Sequence, residues 1–275
     1  MKVPPVRSPA KFFAWTFALS VPIWLAGAII GDAPVWAPMR LPISALAAVC
    51  PIVAAMLLTA RGREAGGIRG LWRRVFDHRE LRPKGWYVPI VLLMPAVLFV
   101  SYWVMRLTGR PLPEAEVPLL TAPLLFALYF VAAVGEEGGW TAYATDPLLR
   151  RHNVLTAGLL LGLVWASWHV VPLVQAHRSA GWIAWHGLSI VALRVIMVWL
   201  YARTGSVFGA VVFHAMSNVS YTLFPNNGSH YDPAVTAVVI GTVALGIGTA
   251  VWWRQARHHR QDTGGIGGAH PSAWR

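Results

Sequence analysis

The chain has one cysteine, Cys50, and only 11 acidic residues against 23 basic ones in 275. A single cysteine excludes an intrachain disulfide and a thiolate metal cluster. Charged residues make up 12 % of the sequence and hydrophobic ones 56 %, with a mean hydropathy of +0.52. That balance excludes an ordinary soluble domain. Two hydrolase signatures are also missing. Without HExxH a soluble-type zinc protease has no support, and without GxSxG the hydroxyls of Ser167, Ser217 and Ser220 lack a nucleophile elbow. No repeat of fixed period is found, which gives no support to an inverted-repeat transporter.

What is present is apolar sequence in long runs. Stretches of about 20 residues, the length that crosses a bilayer as a helix, occupy 11–30, 41–60, 86–107, 118–134, 154–176, 182–202, 206–224 and 234–253. The fourth continues in helical pattern past a pair of glutamates. These eight runs predict an all-α polytopic membrane protein. About eight transmembrane helices would form one bundle around a polar cavity, a single domain over 1–260 with its core at 118–224. The remainder, 261–275, is expected to be a disordered cytoplasmic tail.

The net charge of +12 is distributed on one side. Lys2, Arg7 and Lys11 precede the first run, and Arg61, Arg63, Arg69, Arg73, Arg74, Arg79, Arg82 and Lys84 lie between the second and third. Arg150, Arg151, Arg203, Arg254, Arg257 and Arg260 fall in connections of the same parity. The opposite loops hold a thin mixed set of Asp32, Arg40, Arg110, Glu114, Glu116, Arg178 and Asp232. By the positive-inside rule both termini are cytoplasmic in a multi-pass protein of the cell membrane. The basic charge therefore reads as orientation and attraction to the lipid bilayer, with no nucleic acid as partner. Within 61–84, Ile68, Leu71, Trp72, Val75 and Phe76 recur at helical spacing among arginines, which predicts an amphipathic surface helix. Several of the 15 tryptophans stand at run ends, as an interfacial belt requires.

Against this background the polar residues inside the runs stand out. Glu136 and Glu137 sit side by side, His169 in the fifth run, Arg194 in the sixth, and His214 and Asn218 in the seventh. An ionisable group at membrane depth costs about 2.5 to 3.5 kcal/mol on insertion scales, so it usually faces the bundle interior with a partner. His214 and Asn218 are four residues apart and share a helix face. Taken singly, each is compatible with interhelical hydrogen-bond glue. Together they are the ingredients of a water-activating hydrolase: a carboxylate base, imidazoles that hold an oxyanion or a metal, and an amide donor. Glu136, His169 and His214 also match one zinc ligand set. The same residues would serve as a relay in a proton-coupled transporter.

Three segments then resemble a known family. GEEGGWTAYATDPLL, WASWHVVPL and FGAVVFHAMSNVS are similar, in order, to the EExxxR, FxxxH and HxxxN motifs of the CAAX-protease and bacteriocin-processing family of intramembrane proteases. The resemblance implies eight helices around a cavity opening toward membrane and cytosol, and hydrolysis of a peptide bond in a membrane-bound or lipidated peptide or protein substrate. By it Glu136 activates water, aided by glutamate chemistry alone or by a divalent metal such as zinc. Glu137 is the orienting neighbour, His169 orients the water or shares the metal, and His214 with Asn218 stabilises the oxyanion. Trp165 stands where the second motif has phenylalanine. Thr141 stands where the first motif has arginine, which leaves two alternatives. Either Arg194 supplies the missing cation or it snorkels to the interface, and in the latter case the chain is a non-catalytic scaffold of the same fold.

Overall fold

A computed structural model describes residues 7–30, 43–62, 66–113, 121–224, 228 and 230–264, with side chains to 253. The tail at 265–275 and the loop residues Asp32, Trp36, Arg40, Arg63, Glu114 and Glu116 lie outside the described residues. Elements are α1 (Pro9–Ile30), α2 (Ile43–Gly62, its first two turns 3-10), α3 (Gly67–Phe76), α4 (Tyr87–Leu107), α5 (Thr121–Gly139), a π-helical turn (Trp140–Thr145), α6 (Asp146–Leu149), α7 (Val154–Gln175), α8 (Ala180–Thr204), α9 (Val207–Leu223) and α10 (Pro233–Gly264). All are helical, as long apolar runs in lipid must be, because hydrocarbon offers no partner for a bare backbone.

Six of the eight expected spans are helices long and apolar enough to cross a membrane: α1, α2, α4, α7, α8 and α10 as far as Trp253. The two that fall short are α5 and α9, which carry the Glu pair and the His214–Asn218 pair. The two glutamates lower the hydropathy of α5, and α9, though apolar, has 17 residues that extend only about 25 Å at 1.5 Å per residue. Glu136, Glu137 and His214 are buried against neighbouring helices, while Leu124, Leu128 and Val131 leave one side of α5 exposed. On α9, Val211, Phe213, His214, Ala215 and Ser217 are all buried.

The 61–84 segment does contain the expected helix, α3, with Ile68 and Phe76 exposed on it. Its other apolar residues depart from a purely lipid-lying helix, since Leu71 and Val75 are buried in the protein core. This docking aims Arg74 inward. Its Nη1 donates to Ala142 O at 2.6 Å, and its Nη2 to Asp146 Oδ2 at 2.7 Å and to Tyr201 Oη at 2.6 Å. Arg7 Nη1 donates to the same Ala142 O at 2.8 Å. Two cations thus hold the π turn that follows the Glu pair, a turn whose six residues are all buried.

The Glu-bearing end of α5 reaches this position through glycine. A β-carbon at Gly135 would stand 2.6 Å from Ala48 O, and one at Gly139 would stand 2.5 Å from Pro51 O. Small residues let two membrane helices approach backbone to backbone, where dispersion rather than the hydrophobic effect binds them. Gly135→Ala and Gly139→Ala are therefore each expected to destabilise the protein by about 1–3 kcal/mol through overpacking. Thermal unfolding of the purified variants in detergent checks this. A Tm equal to that of the parent would mean that α2 and α5 do not meet at these backbones.

Candidate active site

Glu137 has no exposed surface. Arg194 Nη2 and His214 Nδ1 donate to its Oε1 at 2.9 and 2.8 Å. Arg194 Nη1 donates to Oε2 at 2.8 Å, and Thr141 Oγ1 donates to the same oxygen. Four donors thus fill the roughly four lone-pair sites of a carboxylate. Arg194 is itself wholly buried, so it does not snorkel. It takes up the fork geometry that suits guanidinium and carboxylate, from α8 rather than from the motif position. Thr141, which stands at that position, adds its hydroxyl to the same carboxylate.

Trp165 connects this pair to the second glutamate. Arg194 Cζ lies 3.9 Å from the centre of the Trp165 ring, a cation–π contact in a desolvated setting. The ring stands edge-on to His169 and His214, with centroids 5.0 and 5.2 Å away. Its Nε1 donates to Glu136 Oε2 at 2.7 Å. A phenylalanine would keep the stacking and lose this donor. The exchange of Phe for Trp in the second motif therefore carries a hydrogen bond that its aromatic character alone did not reveal.

Glu136 differs from its neighbour in what surrounds it. Among the described residues the Trp165 indole is its only donor, and it lines a cavity of about 350 Å³ together with His169 and Asn218. His169 Nδ1 lies 2.8 Å from Trp165 O. A carbonyl only accepts, so Nδ1 carries the proton and Nε2 keeps its lone pair. His214 does not join this lining. Its Nδ1 is spent on Glu137, and it is 3 % exposed behind Trp165. Of the four residues expected to converge, three line one cavity and the fourth braces it.

The possible metal set of Glu136, His169 and His214 is not assembled. Among the described residues no group of three His, Cys, Asp or Glu side chains is placed to hold a metal ion. Two causes are visible: the Trp165 ring packs against both histidines, and the buried Arg194 already places a cation beside the carboxylates.

The rest of the cavity was less legible in the sequence. Ser44, Ala45 and Ala48 of α2, Tyr129 and Ala132 of α5, and Trp168 and Pro172 of α7 line it. Arg178, Trp182, His186, Tyr221, Gly228 and Tyr231 line its other end. Tyr129 Oη is 2.7 Å from Thr222 Oγ1, which ties α5 to α9, and Thr222 Oγ1 donates to the backbone carbonyl of Asn218 at 2.9 Å. Trp168 Nε1 donates to Ser20 Oγ at 2.9 Å, tying α7 to α1. Burial pushes the Tyr231 hydroxyl up to about 12, which keeps it a neutral donor at physiological pH. His186, four residues after Trp182 on one face of α8, was the detectable signal that sequence reading passed over.

Comparison with known proteins agrees with the motifs. Residues 118–220 match a family model described as type II CAAX prenyl endopeptidase Rce1-like. The chain is also 26 % identical over 233 residues to CAAX prenyl protease 2 of Methanococcus maripaludis, spanning 78 % of this chain and 84 % of the relative. The matched segment contains the Glu pair, His169, Arg194, His214 and Asn218.

The ion pair yields a direct test. Arg194→Leu should cost about 3–5 kcal/mol, because it leaves a carboxylate buried without its cation. In a Glu137→Leu background the same change should cost much less. Equal costs in both backgrounds, measured by denaturant unfolding in detergent, would show that the two residues are not coupled.

Proposed function

We propose, from the premise that the chain belongs to the CAAX-protease family of intramembrane endopeptidases, that Glu136 activates water to cleave a peptide bond of a membrane-associated, lipidated substrate. One observation carries this reading: Glu136, His169 and Asn218 line the same cavity, while Glu137 is fully occupied by its donors. The oxygen of Glu136 not bonded to Trp165 takes a proton from water, whose position His169 fixes through the Nε2 lone pair. The hydroxide adds to the scissile carbonyl. The Asn218 amide donates to the oxyanion that forms, and a preorganised donor in a dry site is worth far more than one in water. Glu136, now protonated, gives its proton to the departing nitrogen as the tetrahedral species collapses to carboxylic acid and amine.

Glu137, His214, Arg194 and Thr141 touch no reacting atom in this scheme and act as positioning residues. They fix the end of α5 so that Glu136 keeps its aim. Arg194 supplies the charge whose loss at Thr141 would otherwise favour an inactive scaffold. Both termini and the arginine-rich α2–α4 segment are assigned to the cytoplasm on the distribution of basic residues.

The test uses purified protein in detergent and a fluorogenic peptide ending in a farnesylated CaaX sequence, the chemistry named by the relative. Cleavage is expected, and it should survive stripping with a chelator. Activity that vanishes with the chelator and returns with zinc would overturn the metal-free scheme. Asn218→Ala should lower kcat by about 10²–10³ with KM little changed, as removal of an oxyanion donor does. A change confined to KM would move Asn218 from the oxyanion to substrate binding.

A further inference from the structure

The cavity is lined by one carboxylate, Glu136, and one guanidinium, Arg178. Arg74, Arg110 and Arg194 each have an acidic partner. Arg178 is exposed and has no carboxylate within ion-pair distance among the described residues. An unpaired arginine on the wall of a cavity whose one carboxylate is the proposed base is placed for an anion that the protein does not itself supply, since the guanidinium fork matches a carboxylate.

Its position is set by the backbone. Helix α7 ends in a Schellman turn, in which His177 takes the left-handed conformation at φ 54°. His177 N donates to Val174 O at 3.0 Å, and Arg178 N donates to Leu173 O at 3.1 Å. The guanidinium lies on the Trp182 ring, with Cζ 4.7 Å from its centre. Stacking occupies the face of the guanidinium and leaves the N–H groups of its edge free to donate. Helix α8 begins two residues later, at Ala180, and the positive end of its dipole adds to the same rim.

The lining also sets a length. Glu136, Ala132 and Tyr129 recur on one face of α5, and the seven residues from first to last span about 10 Å at 1.5 Å per residue. On α7, His169 stands six residues before the last, Gln175, which is about 9 Å. An extended peptide covers either distance in about three residues at 3.3–3.6 Å each. Near Arg178 the wall is aromatic. The rings of Trp182 and His186 are 4.7 Å apart, those of His186 and Tyr221 5.8 Å, and those of Tyr221 and Tyr231 5.0 Å. Walls of this kind take apolar side chains.

We infer that Arg178 is a specificity-determining residue that receives the free α-carboxylate of the substrate's own C-terminus, with about three residues of chain between it and the bond at Glu136. The inference rests on the peptidase reading for what happens at Glu136, and on charge and geometry for the carboxylate. It assigns a role to a residue outside the three motifs. A polypeptide that continues far past the cut, or whose end is amidated, leaves the guanidinium without its partner.

The test compares two farnesylated fluorogenic peptides, identical except that one ends in a free carboxylate and the other in an amide. On the parent protein in detergent the amide should show a KM raised about 10- to 100-fold, the share of a hydrogen bond to a charged group, with kcat little changed. Arg178→Gln should bring the acid to the level of the amide and leave the amide where it was. Arg178→Lys, which keeps the charge and loses the fork, should retain part of the preference. Equal KM values for acid and amide on the parent, or an Arg178→Gln protein that loses both peptides alike, would overturn the inference. Fluorescence anisotropy of the same pair, dye-labelled at the N-terminus, on Glu136→Gln protein reads binding without cleavage. Tighter binding of the acid, abolished by adding Arg178→Gln, supports the carboxylate site even where the parent cleaves neither peptide, an outcome that counts against the peptidase reading alone. Equal binding of acid and amide overturns the carboxylate site even beside normal cleavage.

Discussion

A carboxylate buried with all its lone pairs filled is the constraint on which this structure depends. Glu137 would be untenable in the middle of a membrane bundle without a cation, and Arg194 would be equally untenable without it. Their bidentate contact fixes α8 against the end of α5. His214 and Thr141 then draw α9 and the π turn to the same point. Once both oxygens are spoken for, Glu137 has no lone pair left for a proton from water. In the proposed mechanism chemistry falls to Glu136, one residue along and facing the cavity, so two adjacent and identical side chains meet different surroundings.

The tryptophan between them extends the frame. Trp165 receives Arg194 on its face, meets both histidines at its edges and donates to Glu136. Aim and charge balance are thereby linked, because a shift of the guanidinium would move the ring that holds Glu136. Outside this frame, α3 and Arg7 seal the end that bears the basic residues. Of the arginines in that segment, Arg74 serves as a strut into the core.

Much of this was legible in the sequence. Hydropathy runs point to the all-α membrane class, and residue type with spacing singles out Glu136, Glu137, His169, His214 and Asn218, of which Glu136, His169 and Asn218 line one cavity. What was not legible depended on contacts between distant segments. No local pattern joins Arg194 to Glu137 across 57 positions, and motif comparison alone reads Thr141 as a loss. The indole donor of Trp165 was invisible because an aromatic exchange hides a difference in hydrogen bonding. The arginines of α3 looked like a solvated face, and only docking of Leu71 and Val75 turned one of them inward.

The central claim is the division of labour between the two glutamates, and a paired comparison of Glu136→Gln and Glu137→Gln measures it. Single-turnover cleavage and thermal unfolding would be recorded on both proteins in the same detergent. The account predicts that Glu136→Gln keeps the parental Tm and loses about 10²–10⁴ in rate, the share of a general base. It predicts that Glu137→Gln unfolds at markedly lower temperature, because Arg194 is then buried without its counter-charge. A Glu137→Gln protein as stable as the parent but inactive, beside a Glu136→Gln protein that still cleaves, would contradict it.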